Sequence, residues 1–177
     1  MKYESEQIEC SAALAAAQLM CAAARTAPKT RGIDKIETLI LTGEDLSALA
    51  DKMEEIDERS NGTNRTHFTR DAGNLRASQA VVLIGVRKFC YGLNCAYCGF
   101  AGCEECETAG GTCVFSSVDL GIAVGSAVSK AADLRVDTRV MYSIGNAAAE
   151  MNYAEKDIIW LGIPLSIKGK SPFFDRK

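Results

Sequence analysis

The chain has 177 residues, a formal net charge of −3, and 47% hydrophobic against 24% charged residues. That balance supports a packed core, fits a single domain over residues 1–177 with or without an inserted loop, and excludes a disordered chain. The slight acidic excess, with no stripe of Lys and Arg, speaks against nucleic acid as a partner.

The opening stretch MKYESEQIEC lacks the basic-then-apolar layout of a secretion signal, and no apolar run reaches the ~18 residues of a membrane span. The expectation is a cytoplasmic protein without membrane contact, in a compartment where thiols stay reduced. Eight cysteines then require a reason. Cys10 and Cys21 stand apart and read as buried small residues on a helix. The other six, Cys90, Cys95, Cys98, Cys103, Cys106 and Cys113, fall in one short stretch and read as metal ligands.

In chain order, Ser5 to Ala24 is predicted to be helical, with Ile8, Ala12, Ala15, Leu19 and Ala22 on the buried face, and Ala27-Pro28 stopping it. Ile36–Leu41 is a strand candidate. Thr42, with an acid three residues on, predicts a capping box and a helix buried along Leu46, Leu49, Ala50, Met53 and Ile56. Asn61-Gly62 marks a turn, and the polar stretch from Thr63 to Gln79 carries no clear pattern. Ala80–Val86 is the strongest strand, and the cysteine loop, bounded here as residues 88–117, leaves from its end.

After the loop, Val118 to Leu134 reads as a helix on which Gly121 and Gly125 would let a neighbouring backbone come close. Arg139–Ile144 fits a strand or a buried helical segment, Gly145–Asn152 a short helix, and Ile158–Ile163 a last strand ended by Pro164. Phe173-Phe174 would anchor a basic tail. Helices and strands in this order predict a layered α/β or α+β domain.

The loop reads CYGLNCAYCGFAGCEECETAGGTC. Its donors are soft thiols, with no Asp or His among them, which suits an iron–sulfur cluster or zinc. Close pairs such as Cys95 and Cys98 let one turn place two sulfurs on one cluster. Gly92, Gly99, Gly102, Gly110 and Gly111 permit the wrapped backbone such a core needs. Structural zinc sites space their pairs by ~12 residues or more, whereas four residues separate Cys98 from Cys103, so a cluster is the first reading and zinc the alternative.

The segments Gly92-Leu93-Asn94-Cys95-Ala96-Tyr97-Cys98-Gly99-Phe100, Asp119-Leu120-Gly121-Ile122-Ala123-Val124-Gly125-Ser126-Ala127-Val128 and Gly162-Ile163-Pro164-Leu165-Ser166 resemble the uncharacterised ferredoxin-domain-containing proteins of bacteria and archaea. Within the loop, Cys95-x2-Cys98-x4-Cys103 resembles the start of the four-iron domain of corrinoid iron–sulfur proteins, which implies a 4Fe-4S cluster with Cys113 as fourth ligand. The last gap is shorter here and Cys106 is extra; Cys106 and Cys90 complete the candidate ligands.

A fainter resemblance, to flavin-dependent nitroreductases, rests on the Ala-rich helix ending Ala24-Arg25-Thr26-Ala27-Pro28, the strand and helix after it, and the late Gly-Ile-Pro. It implies an α+β layered sheet with flanking helices, FMN and a homodimer. The usual Arg-rich phosphate contact is missing near the N-terminus. Arg25, Lys29, Arg31 and Arg176 are the substitutes, or else plain surface charges.

His67, the single histidine, is a candidate base that reads more naturally as a surface residue. Arg87 and Lys88 flank the loop and would offset cluster charge, guide an acidic redox partner, or simply be solvated. Two functions remain. One is an iron–sulfur redox protein coupled to a flavin oxidoreductase activity. The other is a non-enzymatic module stapled by zinc or a cluster that binds a protein partner.

Overall fold

The computed structural model describes residues 1–60, 67–154 and 157–174. The elements are α1 (Ser5–Thr26), β1 (Ile36–Leu41), α2 (Gly43–Arg59), α3 (His67–Arg76), β2 (Ala80–Arg87), α4 (Cys103–Thr108), α5 (Val114–Asp133), β3 (Asp137–Thr138), α6 (Tyr142–Glu150) and β4 (Ile158–Ser166). The strands form one antiparallel sheet in the order β1-β2-β4-β3. The result is an α+β fold in which helices cover both faces of the sheet.

Strand β2 shows why. Its side chains alternate between two apolar layers. Val81 and Leu83 meet α2, α3 and α6 through Leu49, Met53, Phe68, Leu75 and Ile144. Val82, Ile84 and Val86 meet α1 and α5 through Met20, Ala17, Leu120 and Ala123. Ala80 to Val86 are therefore all buried, as the unbroken apolar run predicts.

Two glycines set the closest approach. A Cβ at Gly145 would stand 1.9 Å from the Trp160 carbonyl oxygen, and one at Gly162 would stand 2.1 Å from Ile144 Cγ2. Helix α6 thus lies directly on β4 because neither position carries a side chain.

Several expectations are corrected. Helix α1 buries Ala13, Ala16, Ala17, Met20 and Ala24, while Ile8 and Leu19 are 56% and 46% exposed. The helix turns its alanines inward because α5 packs closely against it. Thr42 is the N-cap residue of α2 but makes no side-chain cap bond; the capping box belongs to Glu4 and Gln7 on α1. Gly121 and Gly125 face open space rather than a neighbouring backbone, and Cys10 is exposed.

The unassigned stretch before β2 contains α3, with Phe68, Ala72 and Leu75 in the core. Helix α5 starts at Val114, and Tyr142–Glu150 replaces the later helix expected from Gly145. Strand β4 runs through Pro164 to Ser166. Leu165 accepts from Gln79 on the β2 side, while Gly162 pairs with Met141 on the other. Pro164 shares the side of Gly162, so its missing N–H falls in the gap between Thr138 and Met141, where the ladder is interrupted. Phe173 anchors the tail in the core, but Phe174 is exposed. The expected Asn61-Gly62 turn lies outside the described residues.

By length and composition alone, α1 and α5 could cross a membrane, each at mean hydropathy 1.2, so the expectation that no segment qualifies is revised. In this fold they pack on each other and on the sheet.

Candidate metal centre

The loop leaves β2 after Arg87, where the Lys88 N–H donates to the Asp157 carbonyl at 2.9 Å, and it returns at α5. Its entry end is held by α5. The Ser116 hydroxyl donates to the Phe89 carbonyl at 3.0 Å and accepts from the Phe89 N–H at 3.4 Å. Three residues on, Asp119 accepts from the Tyr91 hydroxyl at 2.6 Å. The same carboxylate accepts from the Thr30 N–H at 3.0 Å and the Thr30 hydroxyl at 2.8 Å. Asp119 is 2% exposed, so its charge is carried by these donors. Tyr91 is buried too; burial first, then the Asp119 carboxylate, raises its hydroxyl far above the usual range.

Between those ends the backbone wraps tightly. Gly92, Asn94, Ala96, Gly99 and Gly110 all have positive φ, two of them without the freedom of glycine. Asn94 makes use of its strained position. Its N–H donates to Cys103 Sγ at 3.4 Å, and its side-chain oxygen accepts from the Cys103 N–H at 2.9 Å. Helix α4 carries Cys103 and Cys106 three residues apart, on one face.

Cys106 is fully buried, with Cys98 and Cys90 as its neighbouring thiols. Cys103 and Cys113 lie within electrostatic reach of Cys90. Cys113, 5% exposed, is the N-cap residue of α5. Cys95 is half-buried on the preceding turn. All six thiols are free. Burial, then the neighbouring thiols, pushes Cys106 up to about 12; burial likewise raises Cys90. A metal that binds these sulfurs must displace their protons.

Among the described residues, no three His, Cys, Asp or Glu side chains stand close enough around one point to hold a single metal ion. A multi-iron core has corners farther apart than the donors of one zinc ion. The all-thiol donors, positive-φ backbone and N–H directed at Cys103 Sγ fit such a core.

The phosphate candidates are placed elsewhere. Arg25 donates to Asp34 at 2.7 Å and to the Ile36 carbonyl at 2.6 Å. Lys29 donates to the carbonyls of Ala24, Arg25 and Ala27, closing the C-terminal end of α1. Arg31, at φ 56°, donates to the Tyr91 carbonyl at 2.6 Å. Arg176 lies outside the described residues. The first three cations are committed to internal contacts and do not fit a flavin phosphate. Arg87 pairs with Glu37 at 2.8 Å. His67 opens α3 and hydrogen-bonds the Tyr142 hydroxyl.

The sequence reading missed Thr30, Tyr91, Asn94, Ser116 and Asp119. One signal was present: Asp119 is the single charge between Val114 and Val128, in a stretch otherwise apolar or small. A lone carboxylate there should be paired.

The fold is nitroreductase-like. A BluB-like flavoprotein from Clostridium difficile matches with TM-score 0.57 at 15% identity, over 100% of this chain and 84% of that one. A nitroreductase in complex with FMN from Desulfovibrio desulfuricans matches with TM-score 0.56 at 14% identity, over 100% of this chain and 81% of that one.

The sequence carries the assignment further. An "Uncharacterized protein" from Archaeoglobus fulgidus is 45% identical over 170 residues, covering 91% of this chain and 90% of that protein. Residues 109–176 match the family model described as "Uncharacterized protein containing a ferredoxin domain (DUF2148)", and the chain belongs to that family. The matched residues include Cys113 and the Asp119 helix, whereas the other five loop cysteines precede them.

Proposed function

We propose that this chain is an iron–sulfur redox protein whose loop holds a 4Fe-4S cluster through Cys95, Cys98, Cys103 and Cys113. When bound, such a cluster passes single electrons. The observation that carries the reading is the set of free, soft donors on a positive-φ backbone whose entry end is fixed by Ser116 and Asp119. Membership in a ferredoxin-domain family and the oxidoreductase-type fold support a redox role.

Each residue has a task. Asn94 holds Cys103 and places an N–H on its sulfur, which lowers the reduction cost of a negatively charged core. Tyr91 and Asp119 fix the entry end of the loop, and Cys113 caps the helix that carries Asp119. The four-residue gap between Cys98 and Cys103 disfavours zinc. Arg25, Lys29 and Arg31 have other partners and so do not supply a flavin phosphate site.

A second copy of the chain would dock on the α1–α5 face, where Ile8, Leu19, Val118 and Ile122 are exposed beside the open Gly121 and Gly125. Exposed Glu104, Glu105 and Glu107 suit a redox partner with a basic surface.

The reading is tested by comparing C98S and C103S with C10S, all purified without oxygen. The first two should lose iron and the paramagnetic signal seen on reduction, while C10S keeps both. Equal iron in all three would contradict the proposal.

A further inference from the structure

A cavity of about 280 Å³ lies between the end of α6 and the start of β4, lined by Ala148, Ala149, Tyr153, Asp157, Ile158 and Trp160. No cysteine borders it, so it is separate from the metal centre. Its apolar wall is built into the sheet. A Cβ at Gly85 on β2 would stand 2.5 Å from Ile158 Cγ2 and 2.5 Å from Trp160 Cε3, so the missing side chain lets both residues settle on the strand. Alanines at 148 and 149 leave the space beside them unfilled.

The polar groups of the cavity have no use inside the chain. The Tyr153 hydroxyl is buried and has no hydrogen-bond partner, an unfavourable state unless a ligand supplies one. Burial, then the charge of Asp45, raises this hydroxyl above the usual range, so it keeps its proton and a neutral oxygen. Asp157, held at φ 71°, is exposed, and its carboxylate makes no ion pair or hydrogen bond. Among the described residues, no Lys or Arg lines the cavity, and the charges near it, Asp157 and Asp45, are negative.

We propose that this cavity binds a small organic cation with an apolar body. The ammonium group donates to the Asp157 carboxylate and to the unpartnered Tyr153 oxygen. The body lies against Ile158 and the Trp160 indole, whose ring face attracts positive charge. A neutral ligand of the same shape forgoes the charge on Asp157, and an anion is repelled by it. The inference stands apart from the cluster and does not depend on it.

Trp160 is the single tryptophan of the chain, so its fluorescence reports on the cavity. The full chain, purified without oxygen, is titrated with benzylammonium, benzyl alcohol and benzoate. Benzylammonium should give a saturable change, benzyl alcohol should bind about tenfold more weakly, and benzoate should give no change. D157N, in which asparagine tolerates the positive φ, should erase the preference for the cation. A149L should abolish binding by filling the space while leaving Tm unchanged, because position 149 is exposed. Y153F should weaken binding yet leave Tm the same or higher, since it removes an unpaired buried hydroxyl. C98S should bind benzylammonium as the parent does, which keeps this result distinct from the fate of the cluster. Equal affinity for all three compounds, no saturable change with benzylammonium, or binding undisturbed by both D157N and A149L would overturn the proposal.

Discussion

The sheet and the cysteine loop are joined at Arg87, yet they are held by different forces. On the sheet side, Ala80 to Val86 are buried between two apolar layers, and α6 touches β4 through two missing side chains. On the loop side, the segment from Gly92 to Gly102 contributes no strand or helix, and its order comes from polar anchors at its ends and from turns of positive φ. Apolar burial fixes a region by area, so one substitution costs what its volume dictates. Polar anchoring concentrates the load on a few groups, and Asp119 holds three donors at once.

The largest expected effect breaks the sheet side. Gly145→Ala would drive a methyl into the Trp160 carbonyl, and unfolding in urea should show a loss of about 3 kcal/mol or more. A loss below about 1 kcal/mol would mean that α6 does not lie on β4 this closely.

On the loop side, Asp119→Ala strands the Tyr91 and Thr30 donors. It should cost about 3 kcal/mol. Protease cleavage of metal-free protein between residues 88 and 102 should rise at the same time. If D119A leaves metal-free protein as resistant as the parent, the entry end of the loop is not anchored from α5.

A paired substitution sharpens the contrast between the two faces of α1. Met20→Ala should cost about 2–4 kcal/mol and Leu19→Ala under about 1, read from thermal unfolding. Equal losses would restore the face first expected from the sequence.

The smallest effect concerns Asp34. Partial burial opposes its ionisation, but the hydrogen bond and charge of Arg25 outweigh this and hold its carboxyl below the usual range. A depressed folded-state value means the ion pair contributes above about pH 4, the unfolded value, and is lost as pH falls through the folded one. At pH 7, D34N should cost under about 1 kcal/mol, vanishing in strong acid. A cost that grew on acidification would contradict the pairing.

Much of the sheet side was legible. The unbroken apolar run of β2 announced a strand covered on both faces, and the stripe of Leu46, Leu49, Ala50, Met53 and Ile56 gave α2 its inward face. The α1 face was misread because alanines occupy every side of that helix. The bulkier Ile8 and Leu19 looked like core, while the close approach of α5 selected small residues. Pro164 looked terminal because its value depends on which neighbour is absent, a fact of topology rather than of local sequence.

For the loop, cysteine spacing identified the donors, but not their anchors. Asp119 and Tyr91 are 28 residues apart, and nothing local joins them before the chain folds back. Arg25, Lys29 and Arg31 looked like phosphate ligands because a cation's partner, whether carbonyl or phosphate, cannot be read from its own position.

The most direct measurement is metal and sulfide analysis of the full chain purified without oxygen. A 4Fe-4S site gives about four irons and about four sulfides per chain, with zinc well below stoichiometry. One zinc per chain with neither iron nor sulfide would contradict it.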